Sequence, residues 1–274
     1  VLFHDPPPVV QTPVQRIDGE REMGSQIGII FGSTGGIGSV VAALLRSSGW
    51  NVVLVGRNSE TLSSLADSLR SAENSEHPGE IHVRQADVTN TEETEKLFNS
   101  IRDEVGMPTG VVNCVGSVLL KPAHLTSLSD FKTVLDVNLV SAFNIVRAAG
   151  KTMTEGGSVV LLSSCAARIG LPNHEAIAAA KAGIEGLARS AAASYASRRL
   201  RFNCVAPGLT RTPMTKRITA SPQAEAASTA LHPLGRLGEP HDIARAITYF
   251  LSPDSSWITG QTLGVDGGLA ALKA

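Results

Sequence analysis

Aromatic residues are scarce in this sequence: two Trp, two Tyr and seven Phe make up 4% of 274 residues. A core here has to be filled by small and branched aliphatic side chains. Ala, Val, Leu and Gly abound, a composition that suits helices packed tightly on a parallel sheet. Cysteine is rare too. Cys114, Cys165 and Cys204 lie far apart in apolar surroundings, which argues against a disulfide framework and a clustered metal site and fits a reducing compartment. Positive charge is not in excess: 24 Lys and Arg face 25 Asp and Glu, so no basic field speaks for nucleic acid. No apolar run approaches membrane-spanning length. What the chain does have is 42% apolar residues, enough for one sizeable core in a single α/β domain.

The leading segment 1–23 has a different character. Pro6, Pro7, Pro8 and Pro13 fall in a stretch with no periodic apolar face, which predicts an extended or mobile arm. It has no apolar region of the secretory kind, and Asp5, Asp18, Glu20 and Glu22 outnumber Arg16 and Arg21, unlike an intact transit peptide. With Val1 at its head, the segment fits a trimmed precursor. The expected location is a soluble organelle matrix, the mitochondrion first, with the cytoplasm as the alternative. The arm is either a tether or a disordered tail, and residues 24–274 form the single domain.

Short apolar runs predict strands over 27–31, 51–55, 81–85, 110–114, 159–162, 201–206 and 262–265. Between them lie stripes at helical spacing: Val40, Val41, Leu44 and Leu45; Leu62, Leu65, Ala66 and Leu69; Leu97, Ile101 and Val105. One long helix is predicted to carry Phe131, Val134, Leu135, Leu139 and Ala142 on one face, and an Ala-rich helix covers 176–194. A late helix carries Ile243, Ala246, Ile247 and Phe250, and 74–79 reads as a polar loop. This alternation, without hairpin signals, predicts a doubly wound parallel sheet in three α/β/α layers, the Rossmann class. The segment 210–231 lacks a clean period and carries Pro213 and Pro222, so it is expected to act as a mobile lid.

After the first strand comes Gly32-Ser33-Thr34-Gly35-Gly36-Ile37-Gly38. Gly32 permits a sharp turn, Gly36 a close approach of backbone to a pyrophosphate, and Gly38 close packing of helix on strand. Free N–H groups at the helix start favour an anion. The second strand ends Val55-Gly56-Arg57-Asn58, with no Asp or Glu for a ribose 2′-hydroxyl and with Arg57 placed for a 2′-phosphate. NADP(H) is therefore favoured over NAD(H).

The spacing GxxxGxG resembles the short-chain dehydrogenase/reductase family, and within it the 3-oxoacyl-acyl-carrier-protein reductases and their organellar relatives, over about residues 26–269. Further motifs follow in the family's order. Ala86-Asp87-Val88-Thr89 resembles the segment whose Asp contacts adenine. Asn113-Cys114-Val115-Gly116 resembles the NNAG motif; its Cys and Val remove one Asn, which weakens a strand-stabilising hydrogen bond, but leave Gly116 near the cofactor. Asn138 matches the helix Asn that holds a proton-relay water. Pro207-Gly208 with Thr210 and Thr212 resembles the loop at the nicotinamide carboxamide. Thr259-Gly260 and Asp266-Gly267-Gly268 resemble the C-terminal strand and tail.

The resemblance also implies a catalytic set of Asn, Ser, Tyr and Lys. Ser164 and Lys181 stand in their expected places. Four residues before Lys181, and thirteen after Ser164, stands Ile177 where the family has its proton-donating Tyr. His174 could substitute if the helix already includes it; otherwise it lies in the loop after Pro172, facing water. Tyr195, about 27 Å further along a continuous helix, is too distant. Three readings follow. The chain is a cofactor-binding, non-catalytic subunit of a homo- or hetero-oligomer, with a paralogue or an organellar complex. Or it is an active 3-oxoacyl thioester reductase using His174, with acyl carrier protein as partner. Or it serves another NADP chemistry that needs no phenol.

Overall fold

A computed structural model describes residues 26–72 and 78–272. The predicted arm over 1–23 and most of the predicted loop over 74–79 lie outside the described residues. Seven strands form one sheet: β1 (Ile27–Phe31), β2 (Asn51–Gly56), β3 (Ile81–Gln85), β4 (Gly110–Asn113), β5 (Gly157–Leu162), β6 (Leu200–Pro207) and β7 (Thr262–Val265). Their order is β3-β2-β1-β4-β5-β6-β7, and every neighbouring pair is parallel.

The central strands read as unbroken apolar runs because both faces are covered. In β1 all five residues are buried. Ile29 and Phe31 face one core with α3 (Thr91–Glu104), α5 (Ser141–Thr152) and α6 (Glu175–Tyr195). Ile30 faces the other core, with α1 (Gly36–Ser47), α2 (Ser59–Ser71) and α8 (Pro240–Leu251). The few aromatics are accommodated by glycines. A Cβ at Gly110 would fall 2.6 Å from the Trp50 ring, and one at Gly150 would fall 2.5 Å from the Tyr195 ring. Among the described residues no helix is long and apolar enough to cross a membrane.

Two elements differ from the sequence expectation. The long helix predicted through Phe131 and Ala142 is α4 (Leu128–Leu135), a π-helical turn (Asp136–Val140) and then α5. The turn widens the helix where Asn138, buried, bonds back to the Val134 carbonyl. The segment 210–231 contains a helix, α7 (Pro222–Ala230), started by Pro222 and capped by Ser221. None of its residues is fully buried, so it carries no apolar period to be read.

Candidate functional site

All seven strands run the same way, so their carboxyl ends share one edge of the sheet. The chain leaves β1 towards β2 and β3 on one side and returns to β4 on the other. The crevice at such a reversal is where doubly wound sheets bind ligands. A cavity of about 470 Å³ opens here.

One wall is the glycine turn. Gly32 has a positive φ of 71°, and its N–H donates to the Val55 carbonyl at 2.9 Å. A Cβ on Gly38 would fall 2.3 Å from the Gly32 carbonyl oxygen, so only glycine lets α1 start so close to β1. Gly35 precedes α1 without a side-chain cap, and the first turn holds no acidic residue. Its free N–H groups and the helix dipole favour an anion. Thr212 and Pro213 lie over this turn: a Cβ at Gly36 would come within 3.0 Å of the Thr212 side chain.

The deep wall comes from β4, the π-helical turn, β5 and α6. The Asn113 side chain accepts from the Val115 N–H at 3.0 Å and shapes the loop after β4. At Gly116 a Cβ would fall 3.0 Å from Asn138 Oδ1 and 3.5 Å from Lys181 Nζ, so the missing side chain brings loop, Asn and Lys together. Asn138 accepts from the Ser117 N–H and donates to Ser117 Oγ. Lys181 is buried, and its Nζ donates to the Leu162 carbonyl at 2.8 Å. Among the described residues no carboxylate pairs with it. Burial pulls its pKa down to about 8, slightly opposed by the Cys204 and Cys114 thiols. Ser164 Oγ accepts from the Ala166 N–H at 3.2 Å.

Ile177, one helical turn before Lys181, borders the cavity and is 5% exposed. It packs with Val134, Ala176 and Ala180, backed by Leu119 and Phe131. His174 falls between its two expectations. It is the residue immediately before α6, half-buried, and it borders the same cavity. Its Nδ1 lies 2.7 Å from the Pro172 carbonyl. A carbonyl only accepts, so Nδ1 carries the hydrogen, and among the described residues Nε2 has no hydrogen-bond partner. Tyr195 sits at the far end of α6, against Phe202 and Arg198.

The other predicted residues divide in two. Thr34, Ile37, Pro207, Gly208, Thr210 and Thr212 border the cavity, as do Gly36, Gly38, Gly116, Asn138, Ser164 and Lys181. Gly32, Ser33, Arg57, Asp87, Val88 and Asn113 do not. Ser33 is buried, its hydroxyl donating to the Val55 carbonyl at 3.3 Å. Val88 is buried and accepts from Asn144 at its carbonyl. Arg57 is exposed at the end of β2. Asp87, at the end of β3, accepts from the Thr89 N–H and hydroxyl; these bonds, and more weakly Arg57 nearby, hold its carboxyl below the ordinary range.

The sequence reading missed the outer half of the cavity. Val118, Leu120, Leu171, Met214, Ile218 and Leu231 make an apolar mouth. They come from three irregular segments, so no period marks them. Cys114 and Cys165 also border the cavity, but burial pushes their thiols up to about 12 and about 11, leaving them protonated and poor nucleophiles.

Comparison with known proteins places these features in context. The family model described as enoyl-(acyl carrier protein) reductase matches residues 32–270. Carbonyl reductase family member 4 of Danio rerio is 37% identical over 254 residues, covering 90% of this chain and 99% of that protein. The 3-oxoacyl-[acyl-carrier-protein] reductase of Thermotoga maritima is 32% identical over 245 residues, covering 88% and 96%. Among solved structures, a short-chain type dehydrogenase/reductase from Mycobacterium ulcerans superposes with a TM-score of 0.85 at 30% identity, over 91% of each chain.

Proposed function

The chain belongs to the short-chain dehydrogenase/reductase family, close to its 3-oxoacyl-[acyl-carrier-protein] reductases, and from that premise we propose that it binds NADP(H), turns carbonyl substrates over slowly or not at all, and works as a partner subunit. The residues present fit a dinucleotide. At Gly38 the turn has no room for a side chain, and Gly116 leaves open the place beside Asn138 and Lys181 that a Cβ would fill. In this reading the start of α1 holds the pyrophosphate and Arg57 the 2′-phosphate. Asp87 and Val88 border the adenine, Lys181 binds the nicotinamide ribose, and the loop from Pro207 to Thr212 meets the carboxamide. When bound, the nicotinamide supplies or accepts a hydride.

The observation that carries the reading is Ile177. Reduction of a ketone builds negative charge on its oxygen, which then needs a proton. Ser164 can donate a hydrogen bond to that oxygen. A positioned general acid that delivers the proton contributes about 10²–10⁴-fold in rate; without one, water has to supply it. At the position one turn before Lys181 the cavity offers hydrocarbon. Lys181 itself is directed to the Leu162 carbonyl.

The test is NADPH oxidation with an acetoacetyl thioester. The unmodified chain is expected to stay near background, and Ile177→Tyr to gain about 10²-fold or more. A second reading, an active reductase, is favoured by one observation: His174 borders the cavity, and among the described residues its Nε2 has no hydrogen-bond partner. Brisk turnover in the unmodified chain, abolished by His174→Ala, would establish that reading and remove the first. Acyl carrier protein is then the expected partner. In the first reading, the chain purified from its source comes with a catalytic relative.

A further inference from the structure

His232 is 3% exposed, just beyond the end of α7, and the proposed chemistry does not use it. Its Nδ1 lies 2.8 Å from the Ser228 carbonyl in the last turn of α7, and its Nε2 lies 3.2 Å from the Leu209 N–H. The carbonyl only accepts and the amide only donates. The ring is therefore neutral, with its hydrogen on Nδ1. The first bond is local. The second joins the end of α7 to the loop that follows β6. Packing is close on two sides. A Cβ on Gly208 would fall 2.8 Å from Nε2, and one on Gly267 would fall 3.5 Å from the His232 Cβ. Three pieces of chain thus meet at one imidazole: the end of α7, the loop at Gly208, and the C-terminal tail.

We propose that His232 is a positioning residue, a neutral-imidazole latch that holds the loop from Pro207 to Thr210 against the cavity and releases it on protonation. The effect on ligand rests on the cofactor reading above, in which this loop meets the nicotinamide; the latch itself does not.

The physical reason lies in the acceptor. A proton on Nε2 would face the Leu209 N–H donor to donor, in a buried place. The charged and titratable groups around the ring are otherwise engaged. In the tail, the Asp266 carboxylate accepts from the Gly268 and Ala270 N–H groups. Beyond His232, Arg236 pairs with Asp242 of α8. On α7, Glu225 pairs with Arg211. Across the cavity, Lys181 bonds to Leu162 and His174 to Pro172. Among the described residues none forms an ion pair with the imidazole; Asp266, the carboxylate beside it at Gly208, is held by the tail amides.

The test combines amide exchange at Leu209, corrected for the intrinsic effect of pH, with NADPH titration at pH 7.5 and 5.5. In the unmodified chain, Leu209 protection is expected to fall about tenfold or more on acidification. His232→Gln keeps an acceptor without the titration, so its protection should be the same at both pH values. His232→Phe keeps the volume without the acceptor and should exchange fast at both; should it fail to fold, His232→Gln alone decides. NADPH affinity, read as the ratio to His232→Gln so that the 2′-phosphate's own titration cancels, should fall with the protection. Protection that ignores pH, or His232→Gln keeping the unmodified chain's dependence, overturns the latch. Protection as expected with NADPH affinity indifferent to both variants overturns the positioning role. Protection as expected with no NADPH binding at any pH removes the cofactor reading and leaves the latch standing.

Discussion

Lys181 shows how much of this site is a matter of one side chain held against its own preference. Its ammonium is buried beside a carbonyl and two thiols, and its pKa of about 8 lies below the 10.5 of an ordinary lysine. Both values lie above neutral pH, so at pH 7 the group is charged in the folded and unfolded chain alike. The folded state then carries the full cost of holding the charge, on the order of 3 kcal/mol for a shift of this size. As pH rises from about 8 towards 10.5, the folded chain sheds this proton before the unfolded chain does, and stability rises. Lys181→Met removes the buried charge but leaves the Leu162 carbonyl without its donor, which returns about 1–3 kcal/mol of the gain. Thermal unfolding should therefore place Lys181→Met a few degrees above the unmodified chain at pH 7, and less so at pH 9.5. An advantage that grew with pH would contradict burial as the cause. The exchange trades stability for function, because the same ammonium is the group proposed to bind the ribose.

At the scale of elements, regular and covered pieces were legible and exposed or irregular ones were not. The central strands announce themselves because both faces are buried: β5 holds Val159 to Leu162 as one apolar run. The Ala-rich α6 was legible over nearly its whole length, and with it the relation of Ile177 to Lys181. By contrast α7 packs no side chain deeply, so no apolar period reports it; the Ser221-Pro222 start and the alanines that follow are its only signals in the sequence. The π-helical turn was hidden for another reason. It does not change which residues are apolar; it only rotates the helix after Asn138. The device that stabilises it is polar: Asn138 bonds the Val134 carbonyl and the N–H and hydroxyl of Ser117. Asn138→Ala should remove the side-chain bonds to the Val134 carbonyl and to Ser117, leave the half-buried Ser117 N–H without its acceptor, and cost about 1–3 kcal/mol. A urea titration should show this as a lower midpoint at unchanged slope. A loss below about 0.5 kcal/mol would mean that the turn forms without its asparagine.

For the whole molecule, the site belongs to no single element. The glycine turn opens one half of the sheet, β4 and β5 the other, and the loop after β6 closes over the start of α1 through Thr212. The motifs were legible because each lies at a strand end, where parallel topology gathers them on one edge. The apolar mouth was not, because three segments distant in sequence build it. A ligand held across such a site ties both halves together and binds only the folded chain. At a concentration about a hundredfold above its dissociation constant it adds about 2.7 kcal/mol, worth roughly 5–10 °C in a chain of this size. NADPH and NADH differ only at the 2′ position, and Arg57 is the exposed cation at the end of β2. At equal concentrations NADPH should therefore raise the unfolding temperature more than NADH, by about 3–5 °C if Arg57 confers a tenfold preference. Arg57→Ala should bring the two shifts together. It should leave the ligand-free unfolding temperature within about 2 °C, since Arg57 is exposed. Equal shifts in the unmodified chain would remove the preference for NADP(H) while leaving the dinucleotide reading intact. The absence of any shift with either nucleotide would remove both, and would leave Gly38 and Gly116 to be explained by packing alone.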